Sequence, residues 1–319
     1  MCLVSFSKTE SYSAKNKLSK FNSKSPKWAY IEITSSCSHK CSWCYGEFNT
    51  NHSDYMIVSD FEIILEKCKE MGITQITLSG GEPTEHPDFL EMVELATYEF
   101  DTHVASHGDW TEDFASQMFI HGVKQVQFNY QGKKRHDQIH GVESYAKQLR
   151  SIEDVQGVNI DTVATVTVGE FNIKDLPEIF KELDDLGISR IRVWEATGLG
   201  NKFRKNRSAK EIFQACQEEA SKLGYNFTQS YDPDFNGDVG VACLSLSKLF
   251  MYIKSDSTVL YCGAVPSLLN TPVADFKTQS APEILESYNT FIDSMNTGTP
   301  YCAARSVPQE VEFNIKDRT

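Results

Sequence analysis

Six β-rich runs separated by helical segments fill residues 28–200, and this alternation restricts the possible folds more than any other feature. The runs are WAYIEIT (28–34), ITQITLS (73–79), THVASH (102–107), VKQVQFNY (123–130), NIDTVATVTV (159–168) and RIRVWEA (190–196). The intervening segments carry apolar residues at helical spacing; in DFEIILEKCKEMG (60–72) the closing Gly is a stop signal. Repeated strand–helix units imply a parallel sheet with right-handed crossovers.

Side-chain alternation refines the shape, because successive strand residues face opposite sides. Gln75, Thr77 and Ser79 oppose Ile76 and Leu78; Gln125, Gln127 and Asn129 oppose Val126, Phe128 and Tyr130; Arg190, Arg192 and Trp194 oppose Ile191 and Val193. The apolar faces must meet the helices, which leaves the polar faces for a shared interior. A closed eight-stranded barrel packs its interior with Val, Ile and Leu, and a flat doubly wound sheet needs apolar residues on both faces. The expectation is an α/β fold: a partial (β/α)6 barrel over 28–200 holding a polar ligand. A mobile or loosely docked arm (1–27) precedes it, and a small C-terminal α+β extension (201–319) follows.

A net charge of −13 argues against general nucleic-acid binding, which needs clustered cations. One basic cluster exists, Lys202, Arg204, Lys205, Arg207 and Lys210, and reads either as a solvated loop or as an anion-binding loop. No stretch approaches the ~18 apolar residues of a membrane span. The Ser- and Lys-rich start does not read as a secretory signal, so a cytoplasmic location is expected. In that setting the nine cysteines do not point to disulfides. Cys2, Cys68 and Cys216 stand alone and read as ordinary residues; the others fall into two groups.

The first group, Cys37-Ser-His-Lys-Cys41-Ser-Trp-Cys44, is a C-x3-C-x2-C array just after the first strand, where parallel α/β folds place ligand loops. Three thiolates this close can hold three irons of a [4Fe–4S] cluster and leave the fourth open. A structural zinc site wants four ligands, and His39 is the neighbour that could complete one, although its place between the first two cysteines suits tetrahedral closure poorly.

The array resembles the signature of the radical S-adenosylmethionine (radical SAM) superfamily, including Trp43 and Tyr45 around the third cysteine. The resemblance extends to Ser79-Gly80-Gly81-Glu82-Pro83 after the second strand, which matches the family's GGE motif, to Ser106-His107-Gly108, and to Asn129-Tyr130-Gln131-Gly132 with His136-Asp137 and Ile139-His140-Gly141. Gly198-Leu199-Gly200 resembles the family's last cofactor-side glycine loop. It implies that Cys37, Cys41 and Cys44 hold the cluster, that its open iron binds the amino and carboxylate groups of S-adenosylmethionine, and that Trp43, Gly80, Gly81, Glu82, Ser106, Asn129 and Gly198 contact this cofactor. His107 departs from the usual Asn, and Asn129-Tyr130 from the usual Leu-Asp.

In the second group, Cys243 and Cys262 flank a hairpin around LFMYIKSDSTVLYC (249–262), and Cys302 returns from a distance. This layout resembles the twitch domain, the shortened SPASM extension that carries an auxiliary iron–sulfur cluster. Arg305 stands where a fourth cysteine is usual. Three readings stay open: an open iron, a non-cysteine ligand such as Arg305 or one of Asp232, Asp234 and Asp238, or a lost cluster.

The activity the resemblance implies is reductive cleavage of S-adenosylmethionine to a 5′-deoxyadenosyl radical that abstracts hydrogen from a substrate, with a one-electron donor such as flavodoxin or ferredoxin. A small metabolite, held by Arg190 and Arg192 if anionic, is the first expectation for the substrate. Pairing of these arginines with acidic neighbours is the plain alternative. A ribosomal peptide to be crosslinked or epimerised is the second expectation. A non-catalytic iron–sulfur carrier or sensor is the rival of another class.

Overall fold

The computed structural model describes residues 3–10, 24–44, 46, 48, 50, 54–110, 113–197, 208–230, 244–265 and 271–295. Six parallel strands form its centre: β2 (Trp28–Thr34), β3 (Gln75–Gly80), β4 (Asp101–Ser106), β5 (Gln125–Asn129), β6 (Asp161–Val168) and β7 (Arg190–Glu195), each hydrogen-bonded to the next in chain order. Helices α1 (Val58–Glu70), α2 (Phe89–Thr97), α3 (Asp113–Ile120), α5 (Tyr145–Gly157) and α6 (Leu176–Asp185) make the crossovers, and the short α4 (His136–His140) precedes α5. All six expected strands form, within two residues of the boundaries read from alternation.

The odd-numbered face of β2 (Ala29, Ile31, Ile33) and its counterparts Ile76, Leu78, Val126, Phe128, Ile191 and Val193 are fully buried against the helices. The polar faces turn inward, where Trp28 Nε1 donates to Thr77 Oγ1 (2.8 Å) and Arg192 Nη2 to Gln125 Oε1 (3.3 Å). Arg192 on β7 also lies over the ring of Trp28 on β2, 5.9 Å from its centroid. Strands that far apart in a flat sheet would be separated by about 24 Å at the usual spacing. The sheet is therefore curled into the open (β/α)6 barrel.

Both edges of the barrel are capped. β1 (Leu3–Ser7) lies antiparallel between β7 and β8 (Asn226–Ser230). Val4 and Phe6 are buried, with Phe6 edge-on to Phe180 and Phe227. The first residues of the expected loose arm are thus an inner strand. On the other edge β9 (Phe250–Ile253) runs parallel to β2, followed by β10 (Thr258–Leu260) and β11 (Ala274–Asp275), in one eleven-stranded sheet. The hairpin expected around 249–262 is present as β9–β10. The extension therefore continues the barrel sheet instead of standing apart. Helices α7 (Ala209–Lys222), opened by a Ser208–Glu211 capping box, and α8 (Ala281–Met295) cover the two ends. Cys68 and Cys216 are core residues. No described helix is long and apolar enough to cross a membrane.

Candidate active site

The C-terminal ends of the six barrel strands surround one cavity. Cys37, Cys41, Trp43 and Cys44 line it from the loop after β2; Gly80, Gly81 and Glu82 from the end of β3; Ser106 and Asn129 from β4 and β5. The expected cofactor residues within the described chain thus meet at one place. Gly198 and the basic cluster up to Arg207 lie outside the described residues, as do Tyr45, Cys243, Cys302, Arg305 and the three aspartates.

The cysteine loop is fixed from two sides. On one, Gly81 N donates to Thr34 O and Glu82 N to Ser36 O, both at 2.8 Å. A Cβ on Gly80 would stand 2.2 Å from Thr34 O, and one on Gly81 2.1 Å from Ser36 O. The glycines are needed because the chain's own backbone comes this close, not only for approach to a ligand. Glu85, one turn beyond the motif, accepts from Ser36 Oγ (3.1 Å) and Ser38 N (2.9 Å), bracketing Cys37. Burial opposes its ionisation, but these bonds and His107 hold its carboxyl down at about 2. On the other side Lys40 N donates to His140 O (2.8 Å) and Ser42 N to Ile139 O (3.1 Å), so the end of α4 clamps the residues flanking Cys41.

Glu82 is saturated with donors: Thr84 N and Oγ1, Ser106 Oγ (2.7 Å) and His107 N (2.9 Å). It ties the end of β4 to the GGE segment. His107 Nε2 stands 3.3 Å from Glu82 Oε2 and 3.9 Å from Glu85 Oε1. Burial disfavours its cation, yet the Glu82 and Glu85 carboxylates prevail and raise its pKa. Its ring stacks on His39 at 3.5 Å between centroids.

Alternation along the strands had already put Gln127 and Trp194 on the interior face, and both line the cavity. Thr165, Thr167, Tyr30, Glu195, His39, His140 and Ala264 do so as well. For the threonines the signal was present as a period of two in TVATVTV; for Ala264, beyond the hairpin, there was none. Arg190 and Arg192 do not line it. Arg190, at the start of β7, pairs with Glu10 (2.8 Å) and Asp161 (3.1 Å), so acidic neighbours hold the charge considered for an anionic substrate. Arg192 is engaged lower in the interior with Gln125 and Trp28.

The donor set fits an iron–sulfur cluster. Burial, with added repulsion from Glu82 and the other two thiols, pushes the Cys37 thiol well up, and a bound cation would oppose that shift. Trp43, the glycines at the end of β3 and the polar groups beside the thiols suit a ligand with an aromatic base and a zwitterionic tail.

Residues 31–183, just under half of the 319-residue chain, match the family model of the radical SAM superfamily, whose enzymes use a [4Fe–4S] cluster and S-adenosylmethionine. Among the chain's relatives, the sporulation killing factor maturation protein SkfB of Bacillus subtilis is 23% identical over 174 residues, 53% of this chain and 42% of SkfB. The PqqA peptide cyclase of Bradyrhizobium diazoefficiens is 25% identical over 254 residues, 75% of this chain and 67% of the cyclase. The match to SkfB thus spans well under half of that relative. The fold is similar to that of Streptococcus suis SuiB bound to the precursor peptide SuiA, with a TM-score of 0.69, 13% identity, and coverage of 90% of this chain and 71% of SuiB.

Proposed function

We propose that this chain is a peptide-modifying radical SAM enzyme. The observation that carries the radical chemistry is the convergence of Cys37, Cys41 and Cys44, the GGE segment, Ser106 and Asn129 on one cavity. The peptide substrate is supported by the relatives: a maturation protein, a peptide cyclase and a structure solved with a precursor peptide. This reverses the order of the sequence-based expectation, in which a small metabolite came first. With Arg190 paired to Glu10 and Asp161, and Arg192 bonded to Gln125 below the cavity, the geometry gives no support to an anionic small molecule held by them.

Bound at this site, the cluster and S-adenosylmethionine supply an electron and a carbon radical able to abstract hydrogen. The chain's residues position and seal. The three thiols anchor the metal; the β3 end and Ser106 offer polar groups beside it; Trp43 offers an aromatic wall. Gln127, Asn129, Thr165 and Thr167 present hydrogen-bonding groups across the barrel mouth, and Trp194 contributes apolar surface that excludes water. An auxiliary cluster on Cys243, Cys262 and Cys302 belongs to the same reading. Its support is that Cys262 follows β10 and stands two residues before Ala264 in the cavity wall. Total iron of about eight rather than about four per chain after reconstitution checks it.

The test is anaerobic reconstitution, reduction by a flavodoxin or ferredoxin system, and assay for 5′-deoxyadenosine, with Cys37→Ala as the blank. Short peptides encoded beside the gene are then supplied. Peptide-dependent turnover with loss of a hydrogen pair, or deuterium uptake from heavy water, is expected. Turnover stimulated by sugars or nucleotides but by no peptide overturns the substrate assignment. Absence of 5′-deoxyadenosine from iron-loaded protein overturns the enzyme and leaves the electron carrier.

A further inference from the structure

Four histidines pack beside the cysteine loop, and the proposed function uses none of them as a ligand. His39 Nδ1 lies 2.9 Å from His140 Nδ1, across 101 residues of sequence. His39 stacks on His107, and His140 stacks on His136 at 4.1 Å between centroids. Both rings are buried, at 2% and 0% exposure, and the Nε2 atom of each has no hydrogen-bond partner. Buried polar nitrogens without partners are costly unless something binds them.

The third member is Cys41. One ligand atom each of His39, Cys41 and His140 falls within 4.8 Å of the others. This placement comes from the backbone, because the bonds Lys40 N to His140 O and Ser42 N to Ile139 O fix the loop on both sides of Cys41 against the end of α4. Two imidazoles and one thiolate are a borderline-soft, tetrahedral-leaning donor set with room for a further ligand, as Zn²⁺, Fe²⁺ and Co²⁺ accept.

The geometry points to a mononuclear transition-metal site formed by His39, Cys41 and His140 in the cluster-free chain, distinct from the three-thiol site but sharing Cys41 with it. With Cys41 as a terminal ligand of one metal or the other, the two metal states compete for its sulfur. The chain then carries a built-in competition between a single divalent ion and iron–sulfur assembly. The sharing rests on the cluster reading of Cys41; the mononuclear site itself does not.

The test uses full-length chain stripped of metal under anaerobic conditions and titrated with Co²⁺, whose visible d–d bands report tetrahedral ligation and whose thiolate charge-transfer intensity counts sulfurs. One Co²⁺ per chain with the intensity of a single thiolate is expected, unchanged in Cys37→Ser and lost in both His140→Ala and His39→Ala. Circular dichroism confirms that each variant is folded. Prior loading with Zn²⁺ is expected to slow iron and sulfide incorporation in the parent chain and not in His140→Ala. Three-thiolate intensity in the parent chain, which needs no variant to read, or Co²⁺ binding lost in Cys37→Ser and retained in His140→Ala, overturns the proposal. A chain that binds Co²⁺ as described but never assembles a cluster overturns the proposed function and leaves this site standing.

Discussion

At the scale of single residues, the site depends on how closely two stretches of backbone approach. Gly81 has no side chain because Ser36 O and Cys37 Cβ occupy the space, at 2.1 and 2.9 Å from where a Cβ would stand. Gly81→Ala must displace the start of the cysteine loop. The expected outcome is a stability loss of about 1–3 kcal/mol by overpacking together with a sharp fall in iron bound after reconstitution. Gly157 is the control. A Cβ there meets nothing within 4 Å and its φ is not positive, so Gly157→Ala should be neutral or stabilising by about 0.5–1 kcal/mol with iron content unchanged. Urea titration and iron analysis on both variants check the pair. The residues proposed to carry chemistry, the three cysteines and the GGE segment, stood out in the sequence because their spacing is local, and the structure brings them to one cavity. Glu85 and His140 did not. Each acts on the cysteine loop through a tertiary contact, and nothing in the spacing between His39 and His140 announces that they meet.

At the scale of elements, the barrel strands were readable because each buries one face and shows it as a period of two. β1 was not. Leu3–Ser7 is five residues long and followed by a Ser- and Lys-rich stretch, so its alternation is too brief to outweigh the composition around it. It forms because β7 would otherwise be an open edge of the parallel sheet, and unpaired edges are costly and prone to association. An inner strand and a docked arm make different predictions for Phe6. The ring is fully buried between Phe180 and Phe227. Phe6→Ala is therefore expected to cost about 3–5 kcal/mol, read as a lower urea midpoint with the slope retained. A loss below about 0.5 kcal/mol, the range of surface substitutions, would mean that β1 is dispensable to the sheet.

At the scale of the whole molecule, one buried carboxyl group links the C-terminal hairpin to the barrel in addition to the β2–β9 strand pairing. Glu32 on β2 accepts from Tyr252 Oη of β9 (2.9 Å) and from Ser255 Oγ in the hairpin turn (3.2 Å). The Tyr252 ring packs against Gly263, between Cys262 and the cavity-lining Ala264. Burial raises the Glu32 pKa from 4.5 to about 7, only partly offset by the Tyr252 bond, the Lys254 charge and Ser255, and reinforced by Asp256. The sign follows from linkage. Below pH 4.5 the group is neutral in both folded and unfolded chains and costs nothing. As pH rises, the unfolded chain ionises first, so the folded state loses stability until about pH 7, where the loss levels off. The full span corresponds to about 3 kcal/mol. Glu32→Gln keeps an acceptor for Tyr252 and cannot ionise. Its stability relative to the parent chain should therefore climb between pH 4.5 and about 7 and be flat on either side. Subtracting the two urea-derived profiles removes the histidines, which are common to both chains. A flat difference would show that Glu32 ionises in the folded protein as it does in the unfolded chain, with Lys254 and the two hydroxyls offsetting the burial of its charge.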